Sequence, residues 1–162
     1  MNAYRKTRRR VLVVLLASAL AGAGCSAPEH DDTATAAAAD HRREQLRDRL
    51  RSNLGDLYDA PLPTGTVEEI QHGSRLYETL CQSCHGPMGN GNGRSARMLT
   101  IRPPDLTDPS TASFFSDQAK LRIIGEGIAE TPMIGWSGVL EENEQIAVLR
   151  FMNTLVRESQ SP

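Results

Sequence analysis

The side chains in this sequence best suited to chemistry stand in one run, Cys81-Gln82-Ser83-Cys84-His85. Two thiols with two residues between them and an imidazole directly after the second are the spacing that fastens a haem to protein. The thiols can add across two vinyl groups on one edge of a porphyrin, and the imidazole then lies below the ring, where a nitrogen can bind the iron. Each part also has a plainer explanation. A Cys-x-x-Cys pair alone could be a dithiol redox centre, but that motif belongs at a strand-to-helix junction, and no β-branched run precedes Cys81. Half of a zinc site would need a second ligand pair, and the one other cysteine is Cys25. A structural disulfide between residues so close would staple almost no loop.

The stretches on either side of the run are what must position it. Thr66-Val67-Glu68-Glu69 has the spacing of a capping box, with Thr66 as N-cap and Glu69 reaching back, and predicts a helix from Val67 to Leu80. Ile70, Gly73, Tyr77 and Cys81 share one face of it. Gly73 costs such a helix about 1 kcal/mol relative to alanine. A second helix crossing closely there would explain it; a tolerated surface glycine is the alternative. Glu141 to Arg157 predicts a second helix, with acids in its first turn and an apolar face of Val148, Phe151, Met152 and Leu155. Phe151 is the candidate to pack over the gap at Gly73. Phe115 to Ile128 predicts a short helix centred on Leu121-Arg122-Ile123-Ile124, from which Gly125 and Gly127 release the chain. Gly86, Gly89, Gly91 and Gly93 would let the backbone turn tightly after His85. They lack the Lys-Ser/Thr pair and the helix start of a phosphate-binding loop. His30, His41 and His72 join no constellation, and His72 reads as a solvated helix residue.

A capped helix bearing Gly73 and Tyr77, the Cys81-to-His85 run, a methionine loop and a terminal amphipathic helix together resemble class I cytochrome c, over roughly residues 66–157. The resemblance implies an all-α fold in which the first and last helices cross near Gly73 and Phe151 around one covalently bound haem c. It also implies that Cys81 and Cys84 are the thioether residues and His85 the proximal ligand. Of the five methionines, Met1 leaves with the leader, Met88 follows His85 too closely to reach the opposite face, and Met152 belongs to a core helix. Met98, in a loop, stays open. Met133, in Thr131-Pro132-Met133-Ile134-Gly135-Trp136, matches the Pro-Met loop that supplies the distal thioether in the family. Pro132 fixes its own φ and restricts Thr131, which would help hold that sulfur.

Arg102-Pro103-Pro104-Asp105-Leu106 resembles the family's proline-leucine segment, implying that the Pro104 carbonyl accepts from the His85 ring N–H. Trp136 would shield the haem edge or bond a propionate, with core burial as the alternative. Gly125-Glu126-Gly127-Ile128 and Pro104-Asp105-Leu106-Thr107-Asp108 resemble the small monohaem subunits that accompany bacterial quinol-oxidising complexes. The expected function is therefore electron transfer to redox partner proteins, in a carrier rather than an enzyme, with His/Met ligation leaving the iron no open position. Two competing functions are a thiol–disulfide oxidoreductase using Cys81 and Cys84, and a haem sensor in which Met133 gives way to an external ligand.

Residues 1–24 read as a secretory signal: a basic start at Arg5, Lys6, Arg8, Arg9 and Arg10, the apolar run Val11 to Leu16, then small residues. The apolar run is short for a membrane span. Leu20-Ala21-Gly22-Ala23-Gly24-Cys25 resembles the lipobox of bacterial lipoproteins, although Gly22 stands where that family prefers leucine. Ordinary cleavage after Ala21 or Ala23 would leave Cys25 a stray thiol, so lipidation of Cys25 is the favoured expectation. The protein is then exported, periplasmic and held at a membrane surface.

Without the signal the chain has 13 basic against 20 acidic residues, a formal −7. That argues against a nucleic-acid partner; it permits steering toward a basic docking surface, or serves simple solubility. Residues 26–40 have too few apolar groups for a core and are expected to form a flexible tether. Leu46, Leu50, Leu54 and Leu57 recur at helical spacing. The segment 41–58 is therefore an amphipathic helix, packed on the domain or on a partner, or else a weakly ordered part of a 25–62 linker. Pro61 and Pro63 close it, and the cytochrome domain is expected over 63–162.

Overall fold

Thr66 sets the frame of the molecule. Its hydroxyl accepts from the Glu69 N–H at 3.2 Å, and the Glu69 carboxylate accepts from the Thr66 N–H at 2.7 Å, closing the capping box. In the computed structural model, which describes residues 32–159, this cap opens α2 (Val67–Leu80), preceded by α1 (Asp32–Leu54). Four helices follow: α3 (Gln82–His85), α4 (Pro109–Phe114), α5 (Asp117–Glu126) and α6 (Glu142–Ser159). Short 3-10 turns occupy Gly55–Leu57 and Ala96–Met98. Among the described residues there is no strand, only an isolated bridge between Gly127 and Ile134. No helix among them is long and apolar enough to cross a membrane. The expected signal, and Cys25 with it, lie outside the described residues.

The predicted helices at 67–80 and 141–157 become α2 and α6, and they cross backbone to backbone. A Cβ on Gly73 would sit 2.0 Å from the Ala147 carbonyl oxygen and 2.9 Å from the Val148 nitrogen. The helix crossing therefore explains Gly73, but Phe151 does not cover it. The two backbones meet at Ala147, too closely for a ring between them. Phe151 packs instead against Tyr77, with ring centres 5.3 Å apart and planes tilted by 57°. Tyr77, Ile124, Leu140, Val148, Leu149 and Leu155 form the buried core around this crossing. Each such large side chain contributes about 1.5–3 kcal/mol on burial. His72 is a solvated residue of α2 as expected, its side chain 44% exposed, and its Nε2 faces the Glu144 carboxylate across the same crossing at 3.5 Å.

Residues 32–40 are more ordered than their composition suggests, and residues 26–31 of the expected tether lie outside the described residues. The tether expected over 26–40 is helical from Asp32 onward, because alanine, which fills residues 36–39, is the strongest helix former. Extending a helix that is already anchored costs little, whereas starting one is expensive. The anchor is a second cluster of Leu50, Tyr58 and Ala119, with Leu46, Leu54, Phe115 and Ile123 against it, which seats α1 on α5. The helix expected at 41–58 ends earlier, at Leu54, and the 3-10 turn after it rotates the stripe: Leu57 is left exposed and Tyr58 is buried in its place.

Candidate functional site

Cys81 ends α2 and opens α3, so the Cys81–His85 run is one helical turn continuing the core helix. The N–H groups of Cys84 and His85 both donate to the Cys81 carbonyl, at 3.1 and 2.9 Å. The following loop folds back over the turn. Gly91 donates to the His85 carbonyl at 2.8 Å, Gly93 to Cys84 at 3.2 Å and Ser95 to Ser83 at 2.8 Å. The buried Tyr77 hydroxyl donates to the Gly86 carbonyl at 2.9 Å, tying the start of that loop to α2. Gly86, Gly89 and Gly91 have φ of 81°, 75° and 73°, as the expected tight turns require.

Cys81, Cys84 and His85 line an apolar cavity of about 440 Å³, together with Pro104, Pro132, Met133 and Trp136. A volume of this order suits a cofactor-sized ligand. Both thiols are free and half-buried. Burial, with Cys84 adding to it, pushes the Cys81 thiol up to about 11. Burial also lowers the affinity of His85 for a proton and so favours the neutral ring that binds metals. Met98 and Met88 are 88% and 54% exposed and stand away from the cavity. Met152 packs against the core, as expected of it, but also reaches the cavity wall.

The Met133 loop is fastened to the end of α5. Ile128 donates to the Met133 carbonyl at 2.9 Å, and Trp136 and Ser137 donate to the carbonyls of Ile124 and Gly125 at 3.0 and 3.1 Å. The Thr131 hydroxyl donates to the Ile128 carbonyl at 2.8 Å and accepts from the Met133 N–H at 3.2 Å. Gly127, at φ 75°, makes the approach workable: a Cβ there would lie 2.5 Å from the Met133 carbonyl oxygen.

One expected contact is absent. The His85 Nδ1 is buried without a hydrogen-bond partner, so the bond to the Pro104 carbonyl is not formed. The carbonyls of Pro103 and Pro104 are directed instead toward Gly91, where a Cβ would meet them at 2.6 and 3.2 Å. Trp136 is partly buried against the main core, the plainer of its two expectations, and it also lines the cavity. The cavity is also lined by Arg102, from the proline-leucine segment, and by Arg43 and Lys120, to which no sequence motif assigns a role. For Arg43 a signal existed: it precedes Leu46 and Leu50 by three and seven residues, on the stripe that seats α1.

Two free thiols one helical turn apart, a half-buried imidazole whose surroundings favour the neutral ring, a methionine thioether and apolar walls together suit a covalently held haem. Residues 68–152, just over half of the chain, match the model of the family described as cytochrome c oxidase, cbb3-type, subunit III. No curated protein matches the chain. Among solved structures it is similar to a chain of the Kuenenia stuttgartiensis reducing HAO-like protein complex, with 29% identity and a TM-score of 0.52. That similarity covers 60% of this chain and 49% of the other, so it spans about half the length of that relative. The protein therefore belongs to the cbb3-type subunit III family of c-type cytochrome domains, with an all-α, class I cytochrome c fold.

Proposed function

We propose that the chain is a monohaem electron carrier in which Cys81 and Cys84 hold the haem through thioethers and His85 and Met133 are its axial ligands. The observation that carries this reading is that the Cys81–His85 turn and the Met133 loop line one apolar cavity, while Met88 and Met98 do not and Met152, which also reaches the wall, belongs to the α6 core. A haem bound there supplies a one-electron iron couple, whose potential His/Met ligation raises. The chain's own residues do the rest. The α2–α6 crossing fixes the turn that bears His85, the Thr131 bonds position Met133, and apolar walls keep water from the ring. Burial disfavours the Cys81 thiolate, the reverse of what a thiol–disulfide exchanger needs.

The carrier is exported to the periplasm by residues 1–24 and held at the membrane through acylated Cys25. It serves a respiratory chain by exchanging electrons with partner proteins. Similarity to a component of a multi-protein complex supports such partners, and a membrane quinol-oxidising assembly is the form we propose.

The test is an absorption spectrum of protein made with cytochrome c maturation, oxidised and then reduced, beside Met133→Ala. We expect the α-band of thioether-linked haem in both proteins and a weak far-red iron–sulfur band in the wild type alone. A band unchanged in the variant would move the distal ligand elsewhere. Absence of covalent haem from the wild type would overturn the reading.

A further inference from the structure

We infer that Arg43, on a helix ahead of the family-matched residues, binds a haem carboxylate and makes α1 part of the redox site. This rests on the reading that haem occupies the cavity between the Cys81–His85 turn and the Met133 loop. The charge pattern of the cavity wall carries the inference. Three cationic side chains, Arg43, Arg102 and Lys120, line a cavity that is otherwise largely apolar, and among the described residues no aspartate or glutamate does. Such a wall fits a ligand with an apolar body and anionic substituents, and haem carries two propionates. A half-buried cation without a counter-charge is costly, and any such cation on this wall asks for an anion.

The three cations are not equivalent. Lys120 already pairs with Asp117 at 3.1 Å, and Arg102 is exposed on a loop. Arg43 is half-buried, its guanidinium carbon lies 3.9 Å from the centre of the Phe114 ring, and it has no acidic partner among the described residues. Stacking on an aromatic face fixes the plane of the guanidinium while leaving its edge N–H groups free to grip a carboxylate in a fork. The helix that bears it is seated on α5 through Leu46 and Leu50, so the group is placed by packing.

Arg47 provides an internal control. It lies over the same ring at 4.6 Å, but it pairs with Glu44 and is not part of the cavity wall. A positive charge beside the haem disfavours the ferric state, the more positive of the two, and a carboxylate left unpaired favours it. Both effects give removal of Arg43 the same sign.

The experiment compares wild type, Arg43→Gln and Arg47→Gln, each as the full chain with haem attached, by spectroelectrochemical titration and resonance Raman spectroscopy. Arg43→Gln should shift the reduction equilibrium about threefold toward the ferric form, about 28 mV at 59 mV per tenfold for one electron. It should also move the haem propionate band, and Arg47→Gln should do neither. An unchanged potential and band in Arg43→Gln would overturn the inference while leaving the carrier reading intact. Equal shifts in both variants would overturn it too, because the effect would then come from seating α1 on Phe114. A wild type without covalent haem would remove the carrier reading and this inference together.

Discussion

The Cys81–His85 turn and the Met133 loop meet at one cavity but are held in place by different means. The turn continues α2, a helix that opens with a capping box and touches the α6 backbone directly at Gly73. Residues 86–95 then fold back over it with a set of backbone hydrogen bonds. Met133 has no helix beneath it. Its place depends on local bonds from Thr131 and Ile128, on two bonds to the end of α5, and on glycine at position 127. Stability in proteins is uneven, and regions held by a few local bonds open at lower cost than those in the core. On the ligation we propose, the side built into the core can fail only with the fold, whereas the side built on a loop can fail alone.

The largest effect should come from the core side. In Gly73→Val the new Cβ would stand 2.0 Å from the Ala147 carbonyl, where backbone meets backbone and no side chain can move aside. Denaturant unfolding of the variant should show a loss of about 3 kcal/mol or more, at the upper end for overpacking. A variant as stable as wild type would mean that the two helices can separate there, and the contrast between the two sides would break.

A smaller, local effect is expected from Thr131→Val, which removes the hydroxyl that serves both Ile128 and Met133. About 1 kcal/mol of loop stability should go. The far-red iron–sulfur band should then bleach at a lower temperature, and carbon monoxide should bind the ferrous form more readily, with global unfolding nearly unchanged. Global loss equal to that of Gly73→Val would show that the loop and the core are one unit.

The smallest effect concerns pH. The Thr66 N–H foremost, and then the Arg150 guanidinium 2.9 Å away, hold the Glu69 carboxyl below the usual carboxylate range. With the folded value depressed, its contribution to stability is present above the unfolded value, about 4.3, and is lost as pH falls through the folded one. Glu69→Gln should remove that part of the acid limb when stability is measured from pH 7 down to pH 3. An unaltered limb would show that the cap contributes no charge-dependent stability.

Much of the core side was legible in the sequence because its signals are local. Thr66 and Glu69 mark a helix start within four residues, Cys81 to His85 is a contiguous motif, and the apolar period of α6 repeats along one element. What could not be read depends on contacts between distant segments. That Ala147 rather than Phe151 meets Gly73 depends on the depth of the crossing, which no periodicity encodes. Residues 32–40 differ for another reason: poverty in large apolar groups suggests a tether, but alanine needs no core to favour a helix. Arg43 stands on the α1 stripe, but charges on a helix usually face water, and only the placement of Phe114 shows that this one is held at the cavity wall.

The contact at Gly73 has a consequence for the speed of electron transfer. With no side chain between α2 and α6 there is nothing to compress or rotate where they cross, and close-packed interiors deform little under load. The turn that bears His85 is thus attached to a nearly incompressible fulcrum. In the carrier we propose, the protein frame around His85 would have little distance to travel when an electron arrived or departed. A small rearrangement between the two oxidation states means a low reorganisation energy, so exchange can stay fast even between partners of nearly equal potential.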